Sequence, residues 1–353
     1  EFKIRKNVKI KDLSIMCRQF HTMLNAGVSV IGCLDLLRSQ TQNPTLRDAM
    51  SRLYDDVQKG KTLSESMKPL SNVFPVLMVN MVEVGEVSGT LEQVLERLSV
   101  QFEKDTKVKS KVSTAMMYPA VIGCIALVMV TFMIAFIVPK FVGMVNSVGG
   151  TLPTPTRILL FISGLFTNPL FLLGLVLFIV LAVLGFRRFK STERGKFIVD
   201  SIIFKMPMVG INVQKILASR FTRTLSTLLK SGVSLIQALE VTDGVVNNQI
   251  VSRGLVKVKE SIKMGSNLAA PLEKMGIFPL MVTHMISVGE EAGSLDSIME
   301  KVADFYDEEV ETSISKLIAI MEPLLMMILA IVVGFIVVAM ILPIFSMYQG
   351  VGQ

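Results

Sequence analysis

Three uncharged apolar runs divide this chain of 353 residues. The run 119–138 is long enough to cross a hydrocarbon core of ~30 Å as a helix. The run 158–186 is interrupted at Pro169, so we interpret 169–186 as a span and the part before it as an interfacial or tilted approach. The third run is 323–342. The pattern predicts three transmembrane helices.

Helical periodicity also governs the polar segments between these runs. Apolar residues recur at helical spacing, and no stretch alternates as a strand with hairpin turns would. Six helix starts are marked in the first segment by capping or proline signals, which are Asp12, Ser29, Pro44, Thr62, Pro75 and Thr90. The pattern therefore predicts an all-α membrane protein with a six-helix bundle before the first span.

An internal repeat is the strongest signal in the sequence. The stretch Ala-Gly-Val-Ser at 26–29 returns as Ser-Gly-Val-Ser at 231–234, which is 205 residues later. After the loss of one residue the offset is 204, and it relates VGEVSGTLE at 84–92 to VGEEAGSLD at 288–296. The membrane prolines follow at the same offset, Pro119 with Pro323 and Pro139 with Pro343. The sequence therefore predicts two repeated six-helix bundles, each leading into a membrane helix.

These observations predict a division of the chain into seven parts. They are a first bundle over 1–118, a span over 119–138, a short external loop over 139–157, an interfacial segment with a span over 158–186, a second bundle over 187–318, a span over 319–345 and an external tail over 346–353. The sixth helix of each bundle has no stop signal before the membrane. We expect it to run nearly continuously into the span.

Charge sets the predicted orientation. The net charge is +7, with 17 basic and 13 acidic residues in 1–118 and 17 and 15 in 187–318. Acids are interleaved with bases throughout, which argues against a nucleic-acid surface. Because the predicted external loop carries only Lys140 and Arg157, the positive-inside rule predicts both bundles and the N-terminus in the cytoplasm and the C-terminus outside.

Catalytic and metal-binding patterns are weak. Gly60-Lys61-Thr62 lacks the earlier glycine and the strand of a nucleotide-binding loop, so a helix stop followed by a cap explains it better. The three cysteines have no metal-ligand spacing, and we predict no catalytic residue. Solvated faces and caps explain most of the acidic clusters. A cation site or a docking surface for a basic partner is the alternative, and the weak metal candidates are Glu86, Glu92, Glu290 and Asp296.

The sequence resembles the PilC/GspF family of inner-membrane platform proteins. The likeness rests on RFTRTLSTLLKSGVSLIQAL at 220–239, on the two VGE corners, on the YP and EP pairs at the span starts and on the closing LPIF. It covers nearly the whole chain in order. The matching fold and interface positions are Gly27, Gly85, Glu86, Gly89, Pro119, Pro139, Gly232, Gly289, Glu290, Gly293, Pro323 and Pro343.

The resemblance implies a non-enzymatic platform at the base of a type IV pilus or a type II secretion system, in the bacterial inner membrane. The partners it implies are a hexameric cytoplasmic ATPase, pilins or pseudopilins, alignment-complex membrane proteins and further copies of the chain. It implies no cofactor, although some family members bind calcium through acidic residues of the first bundle. Family members often carry a segment before the first bundle, and little precedes Asp12 here, so we expect an N-terminal ATPase contact to be missing.

Two other classes of protein fit the sequence less well. A repeat-built transporter would place broken helices and polar groups at mid-membrane, whereas these spans are plain aliphatic runs. The chain also lacks the sequence motifs that a membrane-anchored enzyme or a sensor kinase would carry. If the chain is a platform protein, its sequence does not distinguish between pilus assembly and protein export.

Overall fold

The computed structural model describes residues 7–147, 153–167, 169–207 and 209–350. Within these ranges the regular structure is helical and no strand occurs, which confirms the all-α prediction. The first helix set is α1 (Ile10–Asn25), α2 (Val30–Gln40), α3 (Pro44–Gln58), α4 (Leu63–Met67), α5 (Val76–Ser88) and α6 (Leu91–Ala115). A 3-10 turn, Lys68–Leu70, lies between α4 and α5.

Five helices connect this set to a second one. They are α7 (Met117–Phe132), α8 (Val138–Ser147), α9 (Thr154–Thr167), α10 (Pro169–Lys190) and α11 (Glu193–Lys205), with a π-helical turn, Met133–Ile137, between α7 and α8. The second helix set is α12 (Val209–Lys230), α13 (Leu235–Val246), α14 (Gln249–Lys263), α15 (Ala269–Met275), α16 (Leu280–Glu291) and α17 (Leu295–Gly350).

The predicted caps mostly occupy their expected places. Ser29 Oγ accepts from the Gly32 N–H at 3.2 Å, and Thr62 with Glu65 forms the capping box at α4. The role predicted for Asp12 as the first cap was wrong. Helix α1 begins at Ile10, and the Asp12 carboxylate accepts from the Lys9 N–H at 3.1 Å. Asp12 is therefore the acidic third position of the cap, where it satisfies a free N–H at the helix start.

Helix starts recur along the chain. Helices α2 and α3 begin 205 residues before α13 and α14, and α5 and α6 begin 204 residues before α16 and α17. The caps recur as well, because the side chains of Asn43 and Asn248 each accept from the N–H groups of the residues two and three positions ahead. The structure thus places equivalent residues of the two sequence repeats at equivalent positions of their helices.

The helices group into two compact units. Unit 1 comprises Glu1–Ser110 and Glu193–Ser313, so it contains most of both helix sets. One hydrophobic core runs through it, with Phe74 and Leu34 from the first set and Phe221 and Phe278 from the second. Within the second set the rings of Phe221 and Phe278 lie 4.6 Å apart, and between the sets α5 packs against α13. The two sets therefore share a core instead of having separate ones.

Unit 2 comprises Lys111–Thr192 and Ile314–Gln353. Its small core joins the π-helical turn, α8, α9 and α17 through Ile134, Val138, Val142, Leu159, Ile336 and Ala339. Two buried hydroxyls strengthen this packing, since Thr156 Oγ1 donates to the Ala339 carbonyl at 2.5 Å and Ser163 Oγ donates to the Ile134 carbonyl at 2.7 Å. Such bonds hold apolar helices together where no water competes.

Two helical stretches in the described part of the chain are long and apolar enough to cross a membrane, Leu91–Met144 and Leu295–Pro343. They contain the first and third predicted spans. The second predicted span falls in α10, several of whose side chains lie outside the described residues. A bent pair, Glu193–Lys205 with Val209–Lys230, would pass the same criterion if taken as one span. We place α12 of that pair in unit 1, because Phe221 lies in the unit's core.

The first of these stretches extends beyond the place predicted for its end. The predicted external loop starts at Pro139, but the helix continues to Ser147. The π-helical turn ends at Ile137, so Pro139 lies in the first turn of α8. Proline has no N–H to donate to the preceding turn, and the π-helical turn just before it is where this helix departs from the regular hydrogen-bond pattern. Residues 148–152 of the predicted loop and 351–353 of the predicted tail lie outside the described residues.

Candidate functional site

Two corners at equivalent places join the fifth and sixth helix of each set. The first corner is 85–89 and the second is 289–293. At the first, the Thr90 N–H donates to the Gly85 carbonyl at 2.8 Å, and at the second the Ser294 N–H donates to the Gly289 carbonyl at 3.0 Å. Gly89 and Gly293 adopt positive φ angles of 70° and 65°, which glycine takes without strain.

The first glycine of each corner, Gly85 or Gly289, allows the fifth and sixth helices of the set to come into close contact. A Cβ on Gly85 would lie 3.1 Å from the Leu91 Cα and 3.0 Å from Val94 Cγ2. A Cβ on Gly289 would lie 3.0 Å from the Leu295 Cα. Both approaches are tighter than ordinary van der Waals contact. Any side chain would therefore push the sixth helix away from the fifth.

The corner glutamates bind the N-terminal ends of short helices. Glu86 Oε1 accepts from the Leu63 N–H at 2.5 Å, and Oε2 accepts from the Ser64 N–H at 2.9 Å. The second corner repeats this arrangement, because Glu290 accepts from the Leu268 N–H at 2.5 Å and the Ala269 N–H at 3.1 Å. A carboxylate is favoured there by the free N–H groups and by the helix dipole. Each glutamate thus ties its corner to the fourth helix of its set.

The other two metal candidates contribute backbone atoms to the sets. The Glu92 carbonyl lies 3.1 Å from His21 Nδ1, and Ser226 Oγ donates to the Asp296 carbonyl at 2.8 Å. Among the described residues, no group of three or more His, Cys, Asp or Glu side chains is arranged to hold a metal ion. Calcium binding stays a prediction.

An ionic cluster that the sequence analysis missed lies in unit 1, where the first helix of the second set meets the sixth. Arg223 Nη2 donates to Asp304 Oδ1 and Asp307 Oδ2, each at 2.6 Å, while its Nε is buried without a hydrogen-bond partner. Lys104 of α6 also reaches Asp304, at 2.9 Å, and Ser219 Oγ donates to Asp307 at 2.6 Å. The cluster therefore joins three helices, one of them from the first set.

Ion pairing shifts the protonation equilibria of this cluster. Burial raises the pKa of the Asp304 carboxyl, but the hydrogen bonds from Arg223 and Lys104 outweigh it and hold that pKa below its ordinary value. Burial also lowers the pKa of Arg223, yet its bonds to the two aspartates leave that pKa above the ordinary value. Both shifts favour the charged forms, so the cluster is ionised at neutral pH.

The first helix set has a reduced version of this cluster. Arg18 pairs with Glu103, and these are the equivalents of Arg223 and Asp307 at offsets of 205 and 204. The Arg18 side chain is 59 % exposed, whereas that of Arg223 is 11 % exposed. Opposite charges recurring at the repeat offset were a signal that could have revealed this pair from the sequence.

The membrane prolines and the polar groups beside them form the remaining predicted positions. In unit 2, Tyr118 Oη donates to Glu322 Oε1 at 3.4 Å, and these two residues are themselves 204 apart. Pro119 lies in the first turn of α7, and Pro323 and Pro343 lie inside the uninterrupted helix α17. The starts of the first and third predicted spans therefore lie side by side.

Comparison with known proteins identifies the family of this chain. The family described as type II secretion system (T2SS) protein F matches the chain twice, over residues 16–139 and 221–343. The two matches begin 205 residues apart and end 204 apart, as the internal repeat does, and together they cover most of the chain. The chain belongs to the T2SS protein F family.

Relatives of this family match nearly the whole chain. The type IV pilus assembly protein PilC of Myxococcus xanthus is 37 % identical over 340 residues, which are 96 % of this chain and 81 % of that protein. PilC of Thermus thermophilus is 36 % identical over 96 % of this chain and 82 % of its own length. The type II secretion system protein F of Vibrio cholerae is 32 % identical over 98 % of this chain and 85 % of its own length. This T2SS protein F homologue is thus similar to components of both machines, and the predicted PilC/GspF family is confirmed.

Replacing Glu86 tests the corner. We expect Glu86→Ala to lower the free energy of unfolding by about 1–3 kcal/mol, because it leaves two N–H groups at the start of α4 without acceptors. Glu83→Ala, one turn away, removes a half-exposed ion pair with Lys68 and should change stability little. Thermal unfolding of the full chain in detergent measures both. Equal midpoints for the two variants would contradict the assigned role.

Replacing the two equivalent arginines tests the ionic cluster. We expect Arg223→Met to destabilise the chain by about 3 kcal/mol, the low end for breaking a buried pair, because Asp304 stays half-exposed. Arg18→Met, at the exposed pair, should have little effect.

The pH dependence of the stability difference between wild type and Arg223→Met follows from the pKa of Asp304. Because this pKa is lowered in the folded state, the stability it contributes is present above about pH 4, the value of an unfolded carboxyl, and is lost as pH falls below it. The difference between wild type and Arg223→Met should therefore shrink below that pH. A difference that does not depend on pH would show that the lost stability comes from packing.

Proposed function

We propose that this protein is the cytoplasmic-membrane platform of a type IV pilus machine, and that it couples a hexameric cytoplasmic ATPase to the insertion of pilin subunits into the fibre. The support is the full-length similarity to proteins named for type IV pilus assembly, at 36 and 37 % identity. The alternative is the equivalent platform of a type II secretion system, acting on pseudopilins, since a relative of that name is 32 % identical.

The platform role is one of positioning and force transfer and not of catalysis. The names of the relatives denote assembly and secretion components. The features that recur in both helix sets are corner glycines, helix-binding glutamates and membrane prolines, and these are structural devices. On this proposal the ATPase supplies the chemical step, and alignment-complex proteins hold the platform in place.

Continuous helices support the coupling. Helix α17 runs from Leu295 to Gly350 without a break, and a single non-helical residue, Met116, separates α6 from α7. The charged first part of each helix belongs to unit 1 and the apolar part to unit 2. Since a helix resists bending over a few turns, displacement of its charged part by an ATPase would be carried into its apolar part.

The orientation proposed from charge places both helix sets in the cytoplasm and residues 139–157 outside, with three spans in all. This is the arrangement of two repeated cytoplasmic six-helix bundles. It exposes almost all Lys and Arg to one side of the membrane, as the positive-inside rule requires.

Co-purification tests the platform role. The tagged full chain, extracted gently from membranes of the bacterium that encodes it, should carry with it a hexameric ATPase and pilins. Deletion of its gene should abolish surface pili and leave protein export intact. Loss of export with normal pili would favour the secretion alternative, and substrate flux in liposomes without such partners would favour a transporter.

A flexible insertion tests the coupling. Gly-Gly-Ser inserted after Ser110, inside α6, should abolish fibre assembly while leaving membrane insertion unchanged, because the break uncouples the two parts of the helix. The matched control places the same insertion between Ser71 and Asn72, two exposed residues in a turn, and should keep activity. Full piliation of the Ser110 variant would rule out transmission through this helix.

Thiol labelling tests the orientation. In a Cys124→Ser background, Thr151→Cys should react with a membrane-impermeant maleimide in intact spheroplasts. Met264→Cys, whose position in unit 1 is 82 % exposed, should react only after lysis. The buried thiols of Cys17 and Cys33 should stay unlabelled, because burial raises the pKa of each and hinders access. Labelling of Met264→Cys in intact spheroplasts would reverse the proposed topology.

A further inference from the structure

Equivalent positions in the two helix sets are buried unequally. Leu77 on α5 is 4 % exposed, while its counterpart on α16, Met281, is 40 % exposed. One turn farther along the same helices, Met81 is buried, whereas its counterpart Met285 is only partly buried. Helix α5 packs against α13 of the second set within unit 1. That contact covers a face of α5 whose counterpart on α16 is uncovered.

The other side of the contact shows the same inequality. Val241 on α13 is 6 % exposed, and its counterpart on α2, Leu36, is 43 % exposed. On the neighbouring helix α12, Thr224 is buried, while its counterpart on α1, Gln19, is exposed. The face formed by α12 and α13 is thus covered, and the equivalent face of α1 and α2 is not.

Polar contacts follow the same junction. Arg97 Nη1 of α6 donates to Ser231 Oγ in the turn after α12 at 3.1 Å, and Lys104 of α6 reaches Asp304 of α17 at 2.9 Å. We call the surface of α5 and α6 the docking face and the surface of α12 and α13 the receiving face. Inside one chain, the docking face of the first set is seated on the receiving face of the second.

This contact is heterologous, since it joins two different faces of equivalent sets. A heterologous contact leaves one copy of each face unused, and identical units joined in this way assemble head to tail into a ring or an open series. The unused docking face is on α16 and α17, with Met281 and Val288 exposed. The unused receiving face is on α1 and α2, with Ile31 and Leu36 exposed.

We propose that the partner of the free receiving face is a second copy of this chain, which seats its α16–α17 docking face on α1 and α2. The contact between copies then repeats the contact already made between the two sets of one chain. Each free face carries an exposed apolar side chain, Met281 or Leu36, at a position that is buried where the contact is made. The inference does not depend on whether the chain serves a pilus or a secretion machine.

Charge is complementary at this proposed contact, with the signs reversed. Inside the chain, the cation Lys104 of the docking face meets Asp304 and Asp307. Its counterpart on the free docking face is an exposed anion, Glu308. Beside the free receiving face, an open groove between α1 and α6 is lined by two bases, Lys11 and Arg18, and by one acid, Glu103, which pairs with Arg18. Inside the chain, a cation thus meets two acids and one base, Arg223, whereas at the proposed contact an anion meets two bases and one acid.

Disulfide trapping tests the pairing of faces. In the Cys124→Ser background, full chains carrying Leu36→Cys and chains carrying Met281→Cys, or Ile31→Cys and Val288→Cys as a second pair, are given different tags and co-expressed. Oxidation in membranes should produce dimers that carry both tags. A two-fold contact between like faces would instead produce dimers that carry one tag, and this result, or no dimer for either pair, would overturn the proposal. Met264→Cys in place of Met281→Cys should give no dimer.

Complementation of two association-defective variants gives an independent test. Leu36→Asp disables the receiving face and Met281→Asp the docking face, so neither chain should self-associate in detergent, by light scattering. Mixed together they should form dimers and nothing larger, because each supplies the face that the other lacks. Met264→Asp, the matched exposed methionine, should associate like wild type. Failure of the mixture to dimerise, or unchanged association of either single variant, would contradict head-to-tail contact.

Discussion

The close approach of the fifth helix to the sixth at each corner is the constraint on which the rest of the structure depends. Gly85 and Gly289 leave no room for a side chain, and the residues that follow each glycine turn the chain into its long sixth helix. The glutamate beside each glycine fixes the corner to the start of the fourth helix. One short motif therefore sets the direction of the helices that lead to the apolar segments.

The same motif has a different environment in its two copies. In the first set, the helices on either side of the corner form a face that packs on the second set, and in the second set the equivalent face is uncovered. The ionic residues show a parallel asymmetry, since Arg223 is enclosed between two aspartates while Arg18 remains mostly exposed. A duplicated sequence has thus become two helix sets with unequal surfaces, and this inequality is the basis of the proposed head-to-tail contact.

The acidic residues clustered near the corners show how the structure changes the interpretation of a sequence pattern. Acidic residues clustered at 83–96 and 290–300 were compatible with a cation site. In the structure, Glu86 and Glu290 face backbone N–H groups, and Glu83 pairs with Lys68. Glu86 and Glu290 therefore act as helix caps within the protein. They connect each corner to a neighbouring helix, which is a role that a bound metal ion could also have had.

Sequence alone determined the features that are local or that recur at a fixed offset. Helical periodicity and capping residues such as Ser29 and Thr62 predicted the helices, because a cap acts within four residues of itself. The repeat and its corner motifs predicted the family. Only the tertiary structure decided what depends on contacts between distant residues, namely the partners of Glu86, the Arg223 cluster and the common core of the two sets. Equivalent segments share the same pattern of apolar positions and helix ends, so nothing local could show which of the two copies would be covered by packing.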